Sequence, residues 1–268
     1  MASFAKMLVE GFPSWQVLLV DLRCHGESAA LPSRPQGPHG VGEAAGDVLE
    51  LLRQLRLFPR VLIGHSFGGK VVMSMVQQFP GRLPRPVQVW VLDSLPGEVR
   101  AGGGPSTPDH PGALIELLRS LPTPAASRGA VMDAVTAAGF STDIARWVVT
   151  NLRPVPGGGG WGWTFDLDGI AQMYSSYETT ELWGLLQSPP PGLSVDFVKA
   201  ERSTFRWGGA DEARIAAAGH AVHLLPRSGH WVHTDNPLGL FELLAPSFGG
   251  ASDVKQWRSS AALAASRH

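Results

Sequence analysis

The stretch Val61-Leu62-Ile63-Gly64-His65-Ser66-Phe67-Gly68-Gly69-Lys70 decides how the rest of this chain is interpreted. A short aliphatic run leads into Gly-x-Ser-x-Gly, and apolar residues at helical spacing follow from Val71 to Phe79. Strand, sharp turn and helix in this order form the setting of a nucleophile elbow, where a strained turn exposes a serine hydroxyl. The pattern predicts that Ser66 is a nucleophile. The alternative is a glycine-rich turn between strand and helix with a bystander serine.

The residues on either side of Ser66 have separate predicted roles. Gly64 and Gly68 are expected to remove side chains that would collide with neighbouring backbone. Phe67 begins the predicted helix, whose positive end points at the turn. Its backbone N–H is therefore the predicted donor to an oxyanion.

Composition sets the protein class. The 268 residues, 44% of them hydrophobic, suit one large α/β domain or a domain with an inserted lid. A net charge of −1 provides no basic surface for nucleic acid or for an anionic membrane.

No apolar run has the length of a membrane span. The single cysteine, Cys24, excludes an internal disulfide framework and fits a reducing compartment. The sequence leaves the localisation open among intracellular sites: cytoplasm, plastid or mitochondrion.

Apolar runs alternate with helical patterns along much of the chain. Continuous apolar runs are typical of strands buried on both faces of a parallel sheet, and alternation with helices indicates βαβ units. The predicted strands are Trp15–Val20, the run before Ser66, Val87–Leu92, Leu193–Val198 and Val222–Leu225; the predicted helices between and around them include Phe4–Glu10, Val41–Leu57, Ala210–Ala218 and Pro237–Leu244. The predicted fold class is α/β, with a mostly parallel sheet flanked by helices.

The middle of the chain departs from this alternation. Residues 96–191 contain helical patterns and no clear strand, so we predict a helical lid inserted between two parts of the core, residues 1–95 and residues 192–248. Residues 249–268 are rich in alanine and serine and are predicted to be a mobile tail. Four tryptophans in or near the lid either line an apolar pocket for an acyl chain or form the lid's own core: Trp147, Trp161, Trp163 and Trp183.

A histidine and two candidate acids follow Ser66 along the chain. His230 lies in a loop after the last predicted strand, and histidine has the pKa range of a general base that activates a serine hydroxyl. Asp93 ends the strand after the elbow, and Glu201 follows the next one. Either carboxylate is a candidate to orient His230, with Asp93 preferred. His230 and His233 lack the partners of a metal site, so no metal and no cofactor are predicted.

These motifs resemble the α/β-hydrolase superfamily. Gly64–Lys70, Ser228-Gly229-His230-Trp231-Val232-His233 and the stretch Asp21-x-Arg23-x-His25-Gly26-x-Ser28 are similar to the esterase branch that includes abhydrolase domain-containing protein eleven. The resemblance implies a catalytic triad with Ser66 as nucleophile and His230 as base. It implies a serine esterase or thioesterase that cleaves a small acyl substrate through an acyl-enzyme, without a metal.

One part of the family pattern is not found at the start of the chain. Members of the family carry, before the first helix, a buried strand ending in a His-Gly loop that supplies a second oxyanion donor. Only Met1-Ala2-Ser3 precedes Phe4, so we expect a chain shortened at its N-terminus, with the first strands missing. Losing one donor costs on the order of 100- to 1,000-fold in rate. The alternative function is therefore a hydrolase-fold binding or regulatory protein with weak or no catalysis.

Overall fold

The computed structural model describes residues 1–31, 36–78, 81, 83, 87–99, 110–203 and 207–249. Within these ranges, no helix combines the length and the apolar character needed to cross a membrane. Apart from its first residue, the predicted mobile tail lies outside the described residues.

Helices and strands alternate much as the apolar runs predict, with two exceptions described below. The elements are, in chain order, α1 (Ala2–Gly11), α2 (Gly26–Ala30), α3 (Val41–Leu55), β1 (Val61–His65), α4 (Phe67–Gln78), β2 (Val87–Leu92), α5 (Pro111–Ser120), α6 (Arg128–Ala137), α7 (Thr142–Val149), β3 (Leu152–Pro154), β4 (Trp161–Trp163), α8 (Leu167–Thr179), α9 (Trp183–Gln187), β5 (Leu193–Ala200), α10 (Gly209–Ala217), β6 (Ala221–Leu225), α11 (Val232–Asp235) and α12 (Pro237–Leu244).

Four of the strands form a parallel sheet in the order β1-β2-β5-β6. Its register places the carboxyl ends of three strands side by side, because His65 pairs with Leu92 and Leu92 pairs with Val198. Loops that leave these ends therefore begin next to one another. The prediction of a mostly parallel sheet flanked by helices is confirmed.

The prediction of a buried strand at Trp15–Val20 is wrong. These residues belong to no strand, and Val17, Leu18 and Leu19 are 36%, 46% and 53% exposed. Among the described residues β1 pairs only with β2, so this apolar segment has no ladder partner. An apolar run becomes a buried strand only when a neighbouring strand takes up its backbone hydrogen bonds.

The chain divides into two compact units. The first consists of Met1–Val20, Leu52–Gly97 and Glu181–His268, and it contains the parallel sheet. A cluster of buried apolar residues packs α1, α12 and the sheet together; it includes Phe12, Trp90, Val198 and Phe241. Gly69 of α4 approaches the sheet closely, since a Cβ there would lie 3.0 Å from Val91 Cγ1. The sheet is thus covered by helices within this unit.

The second unit consists of Asp21–Leu51 and Glu98–Thr180, and it is mainly helical. Its core is formed by residues of α5, α6 and α7, against which Trp161 and Trp163 pack. The expectation of no strand in this region is wrong, because β3 and β4 form an antiparallel pair. Of the other two tryptophans, Trp147 is 40% exposed, and Trp183 is buried in the first unit. A lid function for residues 96–191 stays a prediction.

Polar side chains define where several helices begin. Ser127 Oγ accepts from Ala130 N at 3.0 Å at the start of α6, and Ser141 does the same at α7. Asp166 Oδ1 accepts from Gly169 N at 3.1 Å at the start of α8. Such caps satisfy amide groups that have no partner inside a helix.

Candidate active site

Ser66 lies on a sharp turn between β1 and α4. Its φ of 52° is in the left-handed region of backbone conformation, which residues other than glycine rarely adopt. The turn is held at both ends: Ser66 N donates to Leu92 O at 3.0 Å, and Gly69 N donates to Ser66 O at 2.9 Å. A strained, well-anchored turn at the end of a parallel strand is the geometry that the Gly-x-Ser-x-Gly motif predicts.

The two motif glycines have different roles. A Cβ on Gly64 would overlap the backbone carbonyl of Gly68, so glycine is required there for close approach. A Cβ on Gly68 would meet nothing within 4 Å. The expectation that both glycines avoid a collision is therefore right for Gly64 and wrong for Gly68. The physical reason is that the turn brings the position 68 carbonyl onto Gly64 and leaves the other side open.

Asp93 is fully buried at the carboxyl end of β2. Burial of a carboxylate costs free energy unless hydrogen bonds replace those that it made to water. Four donors provide such hydrogen bonds to Asp93. It accepts from Ala200 N at 3.2 Å, Trp207 Nε1 at 3.1 Å, Ser203 Oγ at 2.9 Å and His230 Nδ1 at 2.9 Å. The carboxylate is therefore fixed in position and directed at His230.

The hydrogen bond between Asp93 and His230 orients the imidazole. A carboxylate accepts, so Nδ1 carries the proton in this tautomer and Nε2 is left with a lone pair. His65 links this imidazole to the turn, because it immediately precedes Ser66 and its Nε2 donates to His230 O at 2.7 Å. The His65 and His230 rings are 4.6 Å apart. The structure thus brings Asp93 and His230 together next to the turn that carries Ser66.

Glu201, the alternative acid, has other partners. Its Oε2 accepts from Arg227 N at 2.8 Å and lies 3.9 Å from Arg202 Nη1, and its side chain is 47% exposed. Its carboxylate braces the turn between β6 and the following loop.

Neighbouring histidines are held in the neutral form. Burial lowers the pKa of His65 well below its usual range, and the adjacent His230 and His233 add to the shift. Burial also lowers the pKa of His233 to about 4. At neutral pH neither ring opposes a positive charge on His230.

Phe67, the predicted oxyanion donor, is the first residue of α4. Its backbone N–H lies at the end of the helix that carries partial positive charge, directly after Ser66. This position suits the stabilisation of negative charge that develops beside the serine.

Two residues that support the site were not foreseen from the sequence. Ser203 and Trp207 lie between β5 and α10, and both donate to Asp93. Their position in the sequence could have indicated this role, because both follow β5, the strand that pairs with β2. Loops at the carboxyl ends of parallel strands converge.

Comparisons with known proteins identify the family of this chain. The model of a family described as "Alpha/beta hydrolase family" matches residues 1–243. Mouse (Mus musculus) sn-1-specific diacylglycerol lipase ABHD11 is 30% identical over 241 residues, which cover 88% of this chain and 72% of that protein. The zebrafish (Danio rerio) protein of the same name is 27% identical over 251 residues, covering 88% of this chain and 70% of that protein.

Solved structures with similar folds include other hydrolases. A marine microorganism esterase has a TM-score of 0.72 at 21% identity, covering 92% of this chain and 90% of its own. E-2-(acetamidomethylene)succinate hydrolase has a TM-score of 0.60 at 19% identity, covering 84% and 78%. At these identities the likeness concerns the fold.

Proposed function

This chain belongs to the alpha/beta hydrolase family, and we propose that it is a serine hydrolase that cleaves a carboxylic ester or thioester through an acyl-enzyme on Ser66. The observation that supports this best is the 2.9 Å hydrogen bond between His230 Nδ1 and the buried Asp93. A buried carboxylate with several donors, aimed at a histidine beside a strained serine turn, is the arrangement that activates a hydroxyl.

In the first half of the proposed reaction, Ser66 Oγ attacks the carbonyl carbon of the ester. His230 Nε2 takes the hydroxyl proton, and Asp93 stabilises the imidazolium that results. The neutral state of His65 and His233 leaves that imidazolium without a like charge beside it. Phe67 N–H donates to the oxyanion of the tetrahedral intermediate.

Collapse of this intermediate breaks the ester bond. His230 returns its proton to the leaving alcohol or thiol, and the acyl group stays on Ser66. Water then enters, His230 removes a proton from it, and the second tetrahedral intermediate releases the carboxylic acid and restores the serine. The cycle uses water as its only co-substrate.

For the acyl substrate we propose a neutral lipid ester of the diacylglycerol type. The mouse and zebrafish relatives that share most of this chain are described as sn-1-specific diacylglycerol lipases. A net charge of −1 gives the chain no strong field to select an ionic substrate.

Ester hydrolysis by purified protein tests the proposal. We expect turnover of p-nitrophenyl esters and of a diacylglycerol, together with covalent labelling by a fluorophosphonate probe. Ser66→Ala should abolish both signals. Ser120→Ala is the matched control, because Ser120 is an exposed serine of α5 whose hydroxyl donates to Leu117 O.

The outcomes separate the candidate functions. Labelling that persists in Ser66→Ala would contradict the proposed nucleophile. Labelling that depends on Ser66 without measurable turnover would instead support the alternative of a binding or regulatory protein.

A further inference from the structure

Three potential metal ligands meet inside the second unit, whereas the residues of the proposed triad belong to the first. Cys24, His39 and Asp166 each place one ligand atom within 4.8 Å of the other two. This is the group of three or more potential ligands that lie this close together among the described residues. Cys24 and His39 are buried, and Asp166 is partly exposed.

His39 is an independent sign that a ligand is required. Its side chain is buried, with the residue only 8% exposed, and its Nδ1 makes no hydrogen bond to any residue that the structure describes. A buried imidazole nitrogen without a partner costs free energy, so native structures rarely keep one without a reason. Coordination of a cation through Nδ1 would supply the missing partner.

A network around Arg23 holds the loops of Cys24 and His39 together. Arg23 Nη1 donates to Pro38 O at 2.8 Å, and its Nε and Nη2 both bind the carboxylate of Asp47 at 2.7 Å. The contact with Pro38 holds the residue that precedes His39 against Arg23, which precedes Cys24. The two ligands are therefore positioned by the fold before any ion arrives.

The third segment is attached by backbone. Asp166 N donates to Cys24 O at 2.9 Å, which fixes the start of α8 beside the cysteine. Gly169, in the first turn of α8, lacks the side chain that would fill the space: a Cβ there would overlap Cys24 Sγ and lie 3.2 Å from His39 Cδ2. The thiol and the imidazole thus face one small cradle beneath the helix.

The chemistry of the three groups selects the ion. Thiolate, imidazole and carboxylate are the ligands of zinc and similar borderline divalent metals, and hard ions such as Mg²⁺ avoid thiolate. One thiolate and one carboxylate balance the two positive charges. Tetrahedral bonds of about 2.0–2.3 Å separate ligands by about 3.3–3.8 Å, so ligand atoms that now lie within 4.8 Å of one another must approach by up to about 1–1.5 Å.

We propose that Cys24, His39 and Asp166 form a binding site for a divalent metal ion of the zinc class. A cavity of 1210 Å³ within the same unit is lined in part by Asp166 and its neighbours Phe165 and Leu167. Of the three proposed ligands, Asp166 is the one that lines this cavity. The site is distinct from the proposed Ser66 centre, whose reaction requires no metal.

Cobalt and zinc titrations of the full-length, untagged, EDTA-treated protein test the site. With Co²⁺ we expect one bound equivalent and a thiolate-to-cobalt charge-transfer band. Because Cys24 is the only cysteine in the chain, that band reports on it without any mutation. Cobalt binding without the band would overturn the proposal, and so would the absence of binding by both metals.

Variants identify the other ligands. Zinc affinity measured by calorimetry should fall at least about 10-fold in Cys24→Ala, His39→Gln and Asp166→Asn. Asn also caps helices well, so Asp166→Asn should remain folded. The matched control is Asp168→Asn, which alters an exposed carboxylate of α8 that pairs with Arg119 and should leave affinity unchanged.

Melting temperatures in EDTA establish that each variant is folded. Unchanged zinc affinity in folded Cys24→Ala or folded Asp166→Asn would contradict the site. Loss of affinity in His233→Gln, with affinity retained in Cys24→Ala, would place the metal among the histidines around Ser66 and would equally overturn it.

Discussion

Asp93 illustrates how single residues define the candidate site. Its φ of 44° is unfavourable for a residue with a side chain, and its carboxylate is removed from water. Hydrogen bonds from the adjacent strand, from the loop after it and from His230 offset both costs. A group held this firmly suits the orientation of a catalytic imidazole.

The first prediction distinguishes the two candidate acids. Asp93→Asn should lower kcat about 10³- to 10⁴-fold, because an amide no longer selects the imidazole tautomer with a lone pair on Nε2. Glu201→Gln should leave kcat unchanged, since Glu201 braces Arg227 N instead. Steady-state hydrolysis of a p-nitrophenyl ester measures both variants. Equal losses in the two, or a loss only in Glu201→Gln, would contradict the assignment of Asp93.

The second prediction concerns His233 and acid stability. Burial lowers its pKa to about 4 in the folded protein, below the usual 6.5. Between these values the unfolded chain binds a proton that the native state does not, so stability is lost as pH falls from about 6.5 to 4. In His233→Gln, the drop in Tm from pH 7 to pH 5 should be smaller than in wild type. Calorimetric scans at both pH values measure it, and an equal or larger drop in the variant contradicts the mechanism.

At the scale of elements, the turn from β1 to α4 depends on one glycine more than on the other. Gly64 is in contact with the backbone of Gly68, whereas the side of Gly68 where a Cβ would project is open. The motif specifies glycine at both positions, but the strand and helix make only one of them sterically necessary in this chain.

The third prediction follows from that contrast. Gly64→Ala should destabilise the fold by about 3 kcal/mol or more, because its Cβ would force two backbone segments apart. Gly68→Ala should be neutral or stabilising by up to about 1 kcal/mol, since alanine favours the helix and finds space. Urea denaturation of both variants provides the measurement. A comparable loss in Gly68→Ala would show that the turn is crowded on both sides.

At the scale of the whole molecule, three apolar residues after Trp15 are not buried, although their composition predicts burial. Val17, Leu18 and Leu19 are exposed, whereas the equally apolar run of β2 is largely buried. The two segments have similar apolar composition. They differ in which other parts of the chain pack against them.

The fourth prediction tests this exposure. Leu18→Gln and Leu19→Gln should each change the free energy of unfolding by less than about 0.5 kcal/mol, as for other surface positions. Leu225→Ala, at a residue only 1% exposed, should cost about 2–5 kcal/mol in the same denaturation experiment. A loss in the Leu18 variant that matches the Leu225 variant would mean that residues 15–20 are buried after all.

Much of the fold follows from local patterns. The β-branched runs at Val61–His65 and Val87–Leu92 and the helical spacing after Ser66 led to the correct elements, because periodicity reports on burial within one segment. The pairing of Asp93 with His230 was one of two alternatives in the sequence. The residues are 137 positions apart, and only the register of β2, β5 and β6 brings their loops together.

The sequence alone determined the α/β class, the strained serine turn and the order of serine, acid and histidine, because short-range steric and apolar preferences are encoded locally. Only the tertiary structure decided that Asp93 is the carboxylate at His230, that Ser203 and Trp207 hold it, and that Cys24, His39 and Asp166 converge. It also decided that Val17, Leu18 and Leu19 stay exposed. Such outcomes depend on contacts between distant segments, whose geometry is defined only when the sheet and its helices pack.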